Sequence, residues 1–189
     1  MRIGILGGTF NPIHLGHLQL AEGVMKKLNL DKVIFVPSRI TPLRKERQII
    51  DPYKRYKMVK LAIEDNERFE VSRYEIEKEG VSYTIETLNA FREKYKDAEL
   101  FFIAGSDIAY ELDRWKDFDK ICKISTFVIA RRSSFRLPKT NLNVLTVEIE
   151  TLDISSSEIR QRIKNNEEVR HLLPDKVYQY IKREGLYKN

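Results

Sequence analysis

Residues 3–17 read IGILGGTFNPIHLGH: a short apolar run, Ile3 to Leu6, leads into a turn rich in glycine that carries a proline and two histidines. The segment beyond it, with Leu15, Leu18, Ala21, Val24, Met25 and Leu28, spaces its apolar residues as a helix does. The reading is strand, tight turn, helix. Glycine in such a turn lets backbone N–H groups approach an anion with no side chain in the way. The positive end of the helix dipole favours negative charge at the same place. His14 and His17 stand at i and i+3 and share one side of the first helical turn. These are the parts of a phosphate site with imidazole donors added.

Two blander readings compete. The glycines can mark an ordinary βα turn, since the stretch is neither GxGxxG nor a P-loop. The histidines can be a metal pair. No cysteine or carboxylate cluster accompanies them, and a closed zinc site takes about four ligands, so no protein-held metal is expected. The chain has three histidines, and two of them lie in this turn, which favours the functional reading.

With 189 residues, 42% of them hydrophobic, the chain is expected to form one domain, 1–189, with a helical segment from about 155 to 189 packed on it. The single cysteine, Cys122, allows no intrachain disulfide and reads as a small buried hydrophobe. No secretory leader is read before the first strand and no apolar run reaches spanning length, so a cytoplasmic protein without a membrane partner is expected. The net charge is +6. Residues 37–60 hold Arg39, Arg44, Lys45, Arg47, Lys54, Arg55, Lys57 and Lys60 against Glu46 and Asp51, so the whole excess lies in that segment. It suits a polyanionic small substrate or nucleic acid, with about half of these cations expected on an ordinary solvated face.

Strand-like and helix-like segments alternate along the chain. Val33–Val36 reads as a strand stopped by Pro37, followed by a polar, basic connection from Ser38 to Ile50. Asp51-Pro52 opens a helix to about Asp65. Arg68–Ile76 reads as β-like, Gly80 as a turn and Thr84–Tyr95 as a helix. Leu100–Ala104 is a buried strand ending in Gly105-Ser106-Asp107, and Thr126–Ala130 and Val144–Ile149 are further strands. Ser155–Ile163 is a helix with a Ser155–Glu158 capping box, and Pro174 opens a last helix closed near Gly185. The fold class is α/β: a Rossmann-like, doubly wound, mainly parallel sheet with helices on both faces. Ligands of such sheets bind at the carboxyl ends of the strands. Residues 7–17, the basic connection, Gly105–Asp107 and Ser155–Arg160 all follow strands and would gather on one edge.

His14-Leu15-Gly16-His17 resembles the HxGH signature of the nucleotidyltransferase superfamily, and Ile154-Ser155-Ser156-Ser157-Glu158-Ile159-Arg160 resembles its ISSTxIR signature. Ser82-Tyr83-Thr84 with Thr87-Leu88, Gly105-Ser106-Asp107 with Trp115-Lys116, and the ending Leu173-Pro174, Tyr180-Ile181 and Leu186-Tyr187 look like the bacterial nicotinate mononucleotide adenylyltransferases. The likeness covers nearly the whole chain. Asn11 stands where that family usually has aspartate, Ser157 where it has threonine, and Leu43-Arg44-Lys45 where it has proline, histidine and lysine.

The resemblance implies adenylyl transfer from ATP to nicotinate mononucleotide, giving nicotinate adenine dinucleotide and pyrophosphate. The work is alignment of two anions and charge stabilisation at the α-phosphorus. It assigns catalysis to His14, His17, Lys45 and Arg160. It assigns ATP and phosphate binding to Gly7, Gly8, Thr9, Phe10, Gly105, Asp107, Ile154, Ser155 and Ser156. The pyridine nucleotide would meet Tyr83, Thr84, Trp115, Lys116 and Arg44, with Trp115 stacked on its ring or serving as core. Mg²⁺ would come with ATP, without a dedicated protein site, and a homo-oligomer is compatible. Alternative acceptors are nicotinamide mononucleotide, pantetheine phosphate or a cytidylyl-transfer substrate. A nucleic-acid module built on the basic segment with Tyr53 and Tyr56 is the alternative of another class.

Overall fold

The structure is a computed structural model that describes residues 1–42, 49–131 and 144–188, and for Asp107 and Asp113 the backbone only. Its strands are β1 (Arg2–Gly8), β2 (Lys32–Pro37), β3 (Phe69–Val71), β4 (Glu99–Gly105), β5 (Thr126–Arg131) and β6 (Leu145–Glu148). Its helices are α1 (Leu15–Lys27), α2 (Pro52–Ile63), α3 (Tyr74–Glu77), α4 (Thr84–Lys94), α5 (Phe118–Ile124), α6 (Ser156–Lys164) and α7 (Asp175–Glu184). The six strands form one sheet in the order β3-β2-β1-β4-β5-β6, and every neighbouring pair is parallel.

The apolar runs are continuous because both faces of the sheet are covered. Period-two alternation then divides them. Leu6, Val33, Phe35, Phe101, Ile103, Val128 and Ala130 enter one core, with α1, α2, α6 and α7. Ile3, Ile5, Ile34, Val36, Leu100, Phe102, Phe127 and Ile129 enter the other, with α4 and α5. Gly4 lies where a Cβ would come within 2.8 Å of Ile103 Cδ1 and 2.9 Å of Leu30 Cδ1, so a side chain there would have to displace these methyl groups. Cys122 is only half-buried, at the margin of the second core, rather than fully inside.

Local chemistry sets most boundaries as expected. Asp51 caps α2, its Oδ1 accepting the N–H groups of Tyr53 (2.9 Å) and Lys54 (3.1 Å). Ser155 caps α6 by accepting the Glu158 N–H at 3.1 Å, while the Glu158 carboxylate pairs with Arg162 one turn on. Gly185 closes α7 in the left-handed region at φ 61°. Arg68–Ile76 departs from the expectation. Only Phe69–Val71 is strand; the Ser72 hydroxyl accepts the Tyr74 N–H at 3.1 Å and starts α3, which carries Ile76 into the interior. Among the described residues no helix is long and apolar enough to cross a membrane.

The chain winds outward from β1 through β2 to β3, then returns to place β4 on the other side of β1. The order reverses between β1 and β4. Loops leaving the carboxyl ends of these two strands diverge there and leave a crevice.

Candidate active site

The crevice is floored by the turn after β1. Phe10 takes a left-handed φ of 49° and the Asn11–Pro12 peptide is cis. The Phe10 ring folds back over Gly8, where a Cβ would lie 3.1 Å from it. His14 is the N-cap of α1, and its backbone N–H donates to His17 Nδ1 at 3.2 Å. The two imidazoles stack at 3.7 Å between centroids, and Phe10 meets His17 edge-on at 5.1 Å. Gly16 gives the stack its space: a Cβ would stand 3.2 Å from His14 Nδ1 and 3.5 Å from the Leu152 carbonyl oxygen.

The second signature closes over this turn. The Leu152 N–H donates to Gln19 Oε1 on α1 at 2.8 Å, which ties down the segment leading into α6. The Ser156 hydroxyl donates to the Pro12 carbonyl at 2.9 Å, and Arg160 donates to the Asn11 carbonyl at 2.8 Å. Residues 144 and 149 positions apart are therefore directly bonded. Asn11 is buried, and its Oδ1 accepts the Tyr187 hydroxyl at 3.0 Å. Nitrogen in place of a carboxylate oxygen keeps that acceptor and adds no buried charge.

Both signatures border a cavity of about 370 Å³. Gly7, Gly8, Thr9, Phe10, His14, His17, Gly105, Ile154, Ser155 and Ser156 line it, and so do Tyr83, Thr84, Trp115 and Lys116. Trp115 rests edge-on against Phe102 and Phe127, at 5.7 and 5.5 Å, and its indole N–H is buried without a hydrogen-bond partner among the described residues. Lys116 Nζ sits 4.2 Å over the Tyr83 ring and 4.0 Å from Glu86. Trp115 is thus packing and wall at once. Arg160 is not among the described lining residues; its guanidinium donates to the Asn11 carbonyl and the Ser157 hydroxyl. Arg44, Lys45 and the Asp107 side chain lie outside the described residues.

Several lining residues had no sequence assignment. Arg131 ends β5, and its place at a strand's carboxyl end was the available signal. Glu75 gave none, because it fell in a stretch read as β-like. Its buried carboxyl accepts the Thr87 hydroxyl at 2.5 Å. Burial pushes its pKa above the ordinary carboxylate value, against hydrogen bonds from Thr87 and Ser82 that lower it. Among the described residues no three His, Cys, Asp or Glu side chains converge as metal ligands would.

The sequence model of the cytidylyltransferase-like family matches residues 5–162. A Clostridium novyi protein named probable nicotinate-nucleotide adenylyltransferase is 42% identical over 196 residues, covering 98% of both chains. A protein of the same name from Clostridium acetobutylicum is 43% identical, covering 97% of both. This chain belongs to the nicotinate-nucleotide adenylyltransferases of the cytidylyltransferase-like family. The resemblance drawn from the two signatures is borne out. Among solved structures, a Plasmodium falciparum nicotinic acid mononucleotide adenylyltransferase complexed with NaAD superposes with a TM-score of 0.79 at 20% identity, over 98% of this chain and 97% of that one. A Vibrio parahaemolyticus putative nicotinate-nucleotide adenylyltransferase gives 0.76 at 21%, over 100% and 97%. At that identity the likeness is one of fold, and it agrees with the Rossmann-like, doubly wound expectation, here with a wholly parallel sheet. In this adenylyltransferase the family signatures are the two segments joined by the Ser156 and Arg160 bonds.

Proposed function

We propose that this chain transfers the adenylyl group of ATP to nicotinate mononucleotide, releasing pyrophosphate and forming nicotinate adenine dinucleotide in cytoplasmic NAD synthesis. The observation that carries the reading is the junction of the two signatures at the β1/β4 crevice, beside a cavity whose lining includes both histidines and Tyr83, Thr84, Trp115 and Lys116. The acceptor's 5′-phosphate is already a nucleophile at neutral pH. Its oxygen forms the new P–O bond as the bond from the α-phosphorus to pyrophosphate breaks, and no covalent enzyme intermediate is required.

The residues supply orientation and charge. His17 uses Nδ1 to accept a backbone N–H, so the neutral ring carries its proton on Nε2 and offers that donor to phosphate. The stacked His14 stands beside it. Gly7, Gly8 and Thr9 would present backbone donors, and Ser155 and Ser156 would meet the outer phosphates at the positive end of α6. Arg160 would act by holding the turn in place. Trp115, Tyr83, Thr84 and Lys116 would receive the pyridine ring and its carboxylate. Mg²⁺ bound by the phosphates would offset their charge. Lys45 and Arg44 would add cations from the basic connection.

The test is turnover with ATP and a panel of acceptors: nicotinate and nicotinamide mononucleotides and pantetheine phosphate, with CTP as alternative donor. Pyrophosphate release dependent on nicotinate mononucleotide is expected. Activity confined to pantetheine phosphate or to CTP would refute the assignment.

A further inference from the structure

Arg55 belongs to the basic segment, yet it is fully buried. It stands in the second turn of α2, and a helical side chain leans toward the helix N-terminus, here toward the crevice edge of the sheet. Its three nitrogens donate to three backbone carbonyls from two connections: NH1 to Thr9 at 2.6 Å, Nε to Ile50 at 3.1 Å and NH2 to Arg39 at 3.3 Å. Thr9 lies in the turn after β1, and Arg39 and Ile50 lie between β2 and α2. One planar, rigid donor group thus joins the floor of the crevice to its neighbouring wall.

The Thr9 bond has a consequence for the cavity. In a trans peptide the C=O and N–H point in opposite directions. With the Thr9 carbonyl drawn toward Arg55, the N–H of Phe10 is turned away from it. Thr9 and Phe10 both line the cavity. Phe10 is also held at φ 49°, a conformation that is unfavourable for a non-glycine residue and needs outside support.

We infer that Arg55 is a positioning residue for adenylyl transfer: its guanidinium holds the Thr9–Phe10 peptide, and through it the histidine-bearing turn, in the orientation the transition state requires. The inference rests on the reading of that turn as the phosphate cradle. Lysine keeps the charge but offers its donors from one atom and cannot reach three carbonyls in different directions.

The test compares Arg55→Lys and Arg55→Gln with the wild type in steady-state kinetics well below their melting temperatures, with the exposed neighbour Lys57→Gln as control. Cooperative melts are expected for both Arg55 variants, with kcat lowered about 10–100-fold and KM for either substrate changed far less, because misplacement by about 1 Å near the chemistry costs up to about 10² in rate. The Lys57→Gln control should keep wild-type kcat. Folded Arg55 variants with wild-type kcat would overturn the inference. Loss of folding in both would also overturn it, since Arg55 would then hold the domain rather than the site. An inactive wild type would instead overturn the functional reading, and this inference with it.

Discussion

A neutral imidazole has one donor nitrogen, and in His17 the backbone selects which. Nδ1 accepts the His14 N–H, so in the neutral ring the proton sits on Nε2, and the first turn of α1 fixes the direction of the imidazole. His17→Ala removes one preorganised transition-state donor and should lower kcat by about 10²–10³ with a near-native melt; near-wild-type turnover would contradict the role. Glu75 yields a prediction of another kind. Its pKa is raised by burial, so the folded chain keeps this proton to higher pH than the unfolded chain does. The contribution to stability is therefore full below the ordinary value of 4.5 and is lost as pH rises through the folded value. Glu75→Gln carries no such ionisation. Its melting temperature should gain on the wild type as pH rises from about 4 to 8, and parallel curves would show that Glu75 does not couple to folding. The histidines were legible as site residues because two of them share one glycine-rich turn. Glu75 and Arg55 were not, since a carboxylate in a β-like run and an arginine in a basic run look solvated until the surrounding packing is known.

At the scale of elements, side-chain spacing and capping carried most of the information. The runs Ile3–Leu6, Val33–Val36 and Leu100–Ala104 became central strands because no polar residue interrupts them, and Asp51 and Ser155 began helices where a side-chain oxygen meets free N–H groups. The miss at Tyr74–Glu77 came from a four-residue helix too short to show a period. Close packing of β1 depends on Gly4. Gly4→Ala would overpack the contact with Ile103 and Leu30 and should cost about 1–3 kcal/mol in urea unfolding; a change below about 0.5 kcal/mol would mean that the core relaxes freely.

Over the whole molecule, Arg114, Lys116 and Arg131 line the cavity with the two histidines, against Glu75 and Glu111, and in the sequence the formal excess of +6 falls in residues 37–60. Both proposed substrates are anions. Raising KCl from about 0.05 to 0.5 M, which shortens the Debye length from above to well below about 10 Å, should lower kcat/KM severalfold and leave kcat nearly constant. A flat salt profile would show that the field does not steer substrate.

Short-range pattern alone was enough for the α/β class and for locating a phosphate-binding turn, because a strand, a capped helix or a glycine turn is governed by neighbours within a few residues; the reaction came from the resemblance of both signatures to a known family. The partners of Asn11, the bond of Arg160 to the Asn11 carbonyl and the burial of Arg55 came only from the folded chain. Those depend on which strands lie side by side, and hydrogen bonds between residues as far apart as 11 and 187 exist only once the sheet order β3-β2-β1-β4-β5-β6 has brought their segments together.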